Sequence, residues 1–165
     1  SPFMIVIGID PGLQVCGYAV IKAELLRMTL LEAGVFRTDG KKRLEQRLCQ
    51  LAEDMRTVVE KYRPEIVAVE QLYSHYQHPR TAILMGHARG VLLQQAGAME
   101  AEVRSFSATR IKKSLTGNGH AGKPQMQRAI QSVLGLSALP EPADVADAIA
   151  AALCCINEKK DFGQD

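Results

Sequence analysis

The chain has 165 residues, a formal net charge of +2, 47% hydrophobic residues and 23% charged ones. That length suits one ordinary domain around a single core, and the composition excludes a disordered tail protein and a fibrous one. No window approaches the roughly 18 apolar residues of a membrane span, and the start Ser1-Pro2-Phe3-Met4 lacks the basic and apolar regions of a signal peptide, so a cytoplasmic protein without membrane association is expected.

Met4 to Ile9 is a continuous apolar, β-rich run, the mark of a strand covered on both faces, and Asp10-Pro11-Gly12 ends it with turn residues. Tyr18 to Ile21 and Thr29 to Arg37 read as two further strands of a hairpin or meander. Leu44, Leu48, Leu51, Met55, Val58 and Tyr62 recur at helical spacing, and Arg63-Pro64 stops that helix. Ile66 to Val69 is a short buried strand that runs into Glu70. Thr81 to Ala98 is helical, and Gly86 and Gly90, one turn apart in it, suit close packing against another element. Glu102 to Ser107 reads as a strand, Pro124 to Leu134 as a helix, and Ala143 to Ile156 as an almost wholly apolar helix. Strands first, then strands alternating with helices, predict an α/β domain: a mixed central β-sheet flanked by α-helices. One domain is expected over 4–158, with 1–3 a remnant of cloning and 159–165 a short C-terminal tail.

Four cysteines, Cys16, Cys49, Cys154 and Cys155, form no CxxC pair, which speaks against structural zinc and for reduced thiols in a core. The charge is unevenly spread. Residues 71–140 hold eight basic residues (Arg80, Arg89, Arg104, Arg110, Lys112, Lys113, Lys123 and Arg128) and two acids, a net +6 against −4 for the remainder. From Val103 to Pro140 there is no acid at all. Such a track is what a nucleic-acid footprint on an otherwise acidic domain looks like, and equally what a solvated basic face looks like.

Two buried-type strands each deliver an acid at the C-terminal end, Asp10 and Glu70, where open sheets form their sites. Asp144 and Asp147, three residues apart, share one face of a helix near its N-terminus, where its dipole favours their ionised forms. Ala148 and Ala151 leave room for that helix to lie close to the sheet. Four carboxylates in one cleft repel one another unless a cation is present, and hard divalent ions with oxygen ligands relieve that repulsion. Two such ions about 4 Å apart suit in-line phosphodiester cleavage. Plainer readings exist: Asp10 as a turn former, Glu70 as a solvated strand end, Asp144 as a helix cap. Asp147, one turn inside an apolar helix, is harder to dismiss.

Ile7-Gly8-Ile9-Asp10-Pro11-Gly12, Val69-Glu70-Gln71, Gly86-His87-Ala88-Arg89-Gly90, Gly117-Asn118-Gly119 with Lys123 and Gln125, and Ala143-Asp144-Val145-Ala146-Asp147-Ala148 follow one another as in RuvC-type Holliday junction resolvases. The chain resembles that family from Met4 to about Ile156. The resemblance implies a ribonuclease-H-like fold, a homodimer, and Mg²⁺ (or Mn²⁺), two ions per site, used to cut opposing strands of four-way junction DNA in recombination and repair. It also implies a branch-migration motor of the RuvA/RuvB type as partner. By the same resemblance Asp10, Glu70, Asp144 and Asp147 are catalytic, metal-holding acids, Lys112 and Lys123 are basic residues near the scissile phosphate and backbone, and Tyr73 stands where the family has a base-contacting aromatic, usually Phe. Arg80, Arg110 and Lys113 are further DNA-binding candidates in the basic stretch. Tyr73 and Tyr76, near His75 and His78, suit stacking on unpaired bases, and Gly117, Gly119 and Gly122 suit close approach of a loop to DNA. Two other functions fit part of the pattern: a non-catalytic junction-binding module, and an ATP-dependent phosphotransferase of the sugar-kinase and actin superfold, for which 165 residues are few.

Overall fold

A computed structural model describes residues 2–71 and 78–162. Five strands, β1 (Phe3–Asp10), β2 (Val15–Glu24), β3 (Met28–Arg37), β4 (Ile66–Glu70) and β5 (Glu102–Phe106), form one sheet in the order β3-β2-β1-β4-β5. β1, β2 and β3 are an antiparallel meander, while β4 and β5 add in parallel on the other side of β1. Parallel strands need long crossovers, and α1 (Leu44–Tyr62) and α2 (Pro79–Ala98) lie in those connections. The strand-then-alternation pattern thus yields the mixed sheet expected of it.

Each face of the sheet carries its own core. β1 sends Ile7 and Ile9 to one side, where they meet Leu51, Met55 and Val59 of α1 and Leu92 and Ala96 of α2. Val6 goes to the other side, joining Ala19 and Ile21 of β2 and the helix α5 (Ala143–Phe162). This alternation with period 2, apolar on both faces, is why the β1 sequence reads as an unbroken apolar run. α1 ends where expected: Arg63 takes a left-handed conformation at φ 47°, its amide bonds the Val59 carbonyl at 2.9 Å, and Pro64 follows.

The differences are local. α3 (Ala108–Thr116) lies where the sequence reads as a basic stretch with no assigned element. Its signals are Ser107, whose hydroxyl accepts the Arg110 amide at 3.2 Å, Ile111 and Leu115 one turn apart, and Gly117 at φ 79° as the left-handed terminator. α4 (Lys123–Leu134) follows after a tight loop. Gly117 therefore owes its place to the end of α3. Close packing at Gly86 and Gly90 is not found: a Cβ on either would meet nothing within 4 Å among the described residues. Cys16, Cys154 and Cys155 are buried thiols, but Cys49 sits exposed on α1 rather than in a core. No described helix is long and apolar enough to cross a membrane.

Candidate active site

Val6 to Ile9 of β1 pair in parallel with Ile66 to Val69 of β4, so Asp10 and Glu70, the next residue on each strand, emerge side by side at the same sheet edge. The third source of acid is α5, whose first turn holds Asp144 and whose second holds Asp147. The helix lies against β1 and β2 at backbone distance. A Cβ on Gly8 would stand 1.9 Å from the Ala148 carbonyl oxygen, and one on Gly17 would stand 2.0 Å from the Asp144 carbonyl oxygen. Gly17 is also the cross-strand partner of Asp10. Two glycines and a run of alanines thereby bring the two carboxylates of α5 to the carboxylate of β1.

The result is a concentrated field. Burial pushes the Asp10 carboxyl up to about 8, aided by Asp147, Asp144 and Glu70 in that order and by a hydrogen bond with Asp144 that favours its protonated form. Burial raises Glu70 as well, with Asp147 adding to it and Lys112 opposing it. Asp147 is raised by burial, against the pull of Lys123 and of a hydrogen bond from Asp10. Lys112 of α3 and Lys123 of α4 thus face Glu70 and Asp147 respectively. Asp10, Glu70, Asp147, Lys112, Lys123 and Gln127 line one cleft of about 270 Å³, floored by Ile9, Ile111, Met126 and Ile130.

The donor set is oxygen only, as Mg²⁺ and other hard cations require, and the excess of carboxylate over lysine is the imbalance such an ion corrects. Among the described residues no group of three or more His, Cys, Asp or Glu side chains is gathered closely enough to hold a metal ion as it stands.

Arg89, which the sequence reading places in the basic stretch and in a family motif without giving it a role, has a defined one in the structure. From α2 its guanidinium donates to the Glu70 carbonyl oxygen at 2.7 Å and to Ser105 Oγ at 2.9 Å, fixing the end of β4 against β5. Its signal was a lone charge on the buried-residue side of α2, next to Ala88. The other candidates fall outside the cleft. Lys113 is exposed on α3 and Arg80 is exposed at the start of α2. Arg110 gives two donors to the Glu158 carboxylate and stacks over Phe106, with 5.1 Å to the ring centroid. Tyr73, His75 and Tyr76 lie outside the described residues. Asp144 is inside the first turn of α5 and not its cap.

Residues 6–155 match the family model described as crossover junction endodeoxyribonuclease RuvC. The chain belongs to the RuvC family. A RuvC from Rhodopirellula baltica is 48% identical over 149 residues, covering 90% of this chain and 84% of that protein. One from Heliobacterium modesticaldum is 37% identical, covering 92% of this chain and 93% of its own. Among solved structures, Thermus thermophilus RuvC in complex with Holliday junction substrate is 31% identical with a TM-score of 0.92, each chain covered to 96%. The family match runs over residues 6–155, and the chain is accordingly an endodeoxyribonuclease with the ribonuclease-H-like fold.

Proposed function

We propose that this protein resolves four-way DNA junctions in the cytoplasm by paired, symmetric phosphodiester cleavage. The observation that carries this reading is the meeting of Asp10, Glu70 and Asp147 with Lys112 and Lys123 in one cleft, in a chain 31% identical to a RuvC solved with Holliday junction substrate. Asp10, Glu70, Asp144 and Asp147 hold the cation, which we take to be Mg²⁺, with Mn²⁺ as substitute and two ions per site. When bound, the cation supplies charge neutralisation and an activated water at the scissile phosphate.

The protein side of the reaction follows from placement. Asp10 and Glu70 are anchored on adjacent strands and Asp147 on α5, so the three carboxylates stay in register without rearrangement at each turnover. Lys112 and Lys123 hold the phosphodiester backbone at the mouth of the cleft, and Arg80, Lys113 and Tyr73 extend the contact, Tyr73 by stacking. Arg110 joins them only by giving up Glu158. Two opposing cuts need two sites, which makes the working unit a homodimer. The open face of α2, where Ile83 is 61% exposed beside the uncrowded Gly86 and Gly90, supports such pairing. A RuvA/RuvB-type motor is the partner that presents the junction, and residues 4–158 are the nuclease domain.

The decisive experiment is cleavage of synthetic four-way junctions by purified protein in Mg²⁺. Symmetric nicks are expected, and Asp10→Asn should bind the junction without cutting it. Undiminished cutting by that variant refutes the assignment of the acids.

A further inference from the structure

A second basic cluster lies in the part of the chain whose overall charge is −4. Residues 37–47 contain Arg37, Lys41, Lys42, Arg43 and Arg47 against two acids, Asp39 and Glu45, a net +3. They form the end of β3, the loop after it and the start of α1. Both acids are engaged locally: Asp39 accepts the Lys41 amide at 2.9 Å, and Glu45 pairs with Arg43 at 2.7 Å. Arg37, Lys41 and Lys42 have no acidic partner within ion-pair distance among the described residues, and Arg37, Lys42 and Arg47 line an open groove of about 540 Å³ that Asp39, Glu45 and Glu53 also line.

The sheet register places this cluster relative to the acids. Asp10 pairs with Gly17, Gly17 with Val35, and Arg37 lies two residues beyond Val35 towards the same sheet edge. Two strand spacings across and two residues along put the Arg37 Cα about 12 Å from that of Asp10. The register thus fixes the Arg37 backbone relative to Asp10, and the groove that Arg37 lines is shared with the start of α1. Lys112, by contrast, belongs to α3, which follows the opposite edge strand, β5.

The loop is also tied to the Asp10 turn. Thr38 donates its amide to the Gln14 carbonyl at 3.2 Å and its hydroxyl to the Leu13 carbonyl at 2.5 Å, and Arg47 Nε donates to Thr38 Oγ1 at 3.0 Å. Leu13 and Gln14 continue directly from Asp10-Pro11-Gly12. The cluster is therefore held in a set position relative to the cleft.

We propose that Arg37, Lys41 and Lys42 form a second phosphate-binding site that grips the DNA backbone on the side of the cleft opposite Lys112. This rests on the junction-cleaving function proposed above and adds a contact to it. The cleaved strand then runs between two positive anchors, one at each edge of the sheet, with the acids between them. Three phosphate contacts contribute roughly 0.9 each to the slope of log affinity against log salt.

The test compares wild type with the triple variant Arg37→Ala, Lys41→Ala, Lys42→Ala on a synthetic four-way junction. Binding is measured in Ca²⁺ across a salt titration, and single-turnover cleavage in Mg²⁺ at saturating protein. The triple variant should lose about 2 to 3 from the salt slope and tenfold or more in affinity at about 0.1 M salt, because each contact carries counterion release. Its saturated cleavage rate should stay within about twofold, and its melting temperature should match wild type, since none of the three side chains supports the fold. Arg37→Lys should retain the slope. A triple variant with wild-type slope and affinity overturns the second site while leaving the nuclease function standing. Wild-type protein that neither binds nor cuts the junction overturns the function itself.

Discussion

A Cβ atom on Gly17 would stand 2.0 Å from the carbonyl oxygen of Asp144 and 2.3 Å from its carbonyl carbon. Both neighbours are backbone atoms of a packed helix and cannot swing aside. Gly17→Ala should therefore push the start of α5 off the sheet, at the overpacking cost of ~1–3 kcal/mol, and carry Asp144 and Asp147 out of register with Asp10. Thermal unfolding should fall by about 2–12 °C. Junction cleavage at saturating DNA should fall by about 100-fold, since an ångström of displacement at reacting groups costs that much. A folded variant with wild-type cleavage would show that the acids need not meet.

Arg89 supports Glu70 through the backbone rather than through its carboxylate. Arg89→Ala removes two charge-assisted donors, worth roughly 1.5–3 kcal/mol each where the acceptor is left without a partner, and frees the end of β4. Single-turnover cleavage should drop by about 10- to 100-fold and the Mg²⁺ concentration for half-maximal rate should rise. Metal-free junction binding should change little. Equal losses in binding and cleavage would show that Arg89 contacts DNA instead.

The metal-free protein should respond to pH through Asp10. Burial, with the neighbouring acids, pushes its carboxyl up to about 8, far above the usual aspartate range, so ionisation is resisted by the fold. The destabilisation is absent below about pH 4, grows as pH rises, and is complete above about pH 8. Asp10→Asn removes it. Without divalent cation the variant should melt at least about 5 °C above wild type at pH 8.5 and close to wild type at pH 4.5. Added Mg²⁺ should stabilise wild type more than the variant at the higher pH. A variant less stable than wild type at pH 8.5 would contradict the crowding of the carboxylates.

Lys112 and Lys123 face Glu70 and Asp147. Lys112→Ala or Lys123→Ala should weaken junction binding and lower the salt slope by about 1 for each lost phosphate contact. Fluorescence anisotropy over a salt series measures this directly. An unchanged slope would confine these lysines to an electrostatic effect on the acids.

Much of this architecture was legible in the sequence because periodicity reports burial. Ile7 and Ile9, alternating with Val6 and Gly8, read as a two-faced strand, and Leu44 to Tyr62 as one face of a helix. The meeting of Asp10 and Glu70 depended on β1 and β4 being neighbours, a fact of strand order that no single strand encodes. Gly17 lies outside the run that reads as a strand, and Arg89 is an ordinary helix former in a helix, so neither signals its role locally. Each exists for a contact made far along the chain, with Asp144 and with Glu70. α3 was obscured for a different reason: its basic residues announce a surface, and only Ile111 and Leu115 betray the buried side. Gly86 and Gly90 misled in the opposite direction, since a small-residue pair signals close approach without saying whether the neighbour lies in the same chain.

Every residue of α5 from Ala148 to Ile156 is buried, and Asp144 and Asp147 are built into the start of that helix. Segments of this kind exchange their amide hydrogens only when the whole domain opens. The acids consequently cannot drift apart to ease their mutual repulsion, and the fold as a whole bears it. A cation arriving at the cleft is then felt at the far end of the sheet: hydrogen exchange should slow throughout α5 and the central strands, not only beside the ligands. The most deeply anchored helix makes the global stability of the domain a reporter of its active-site charge.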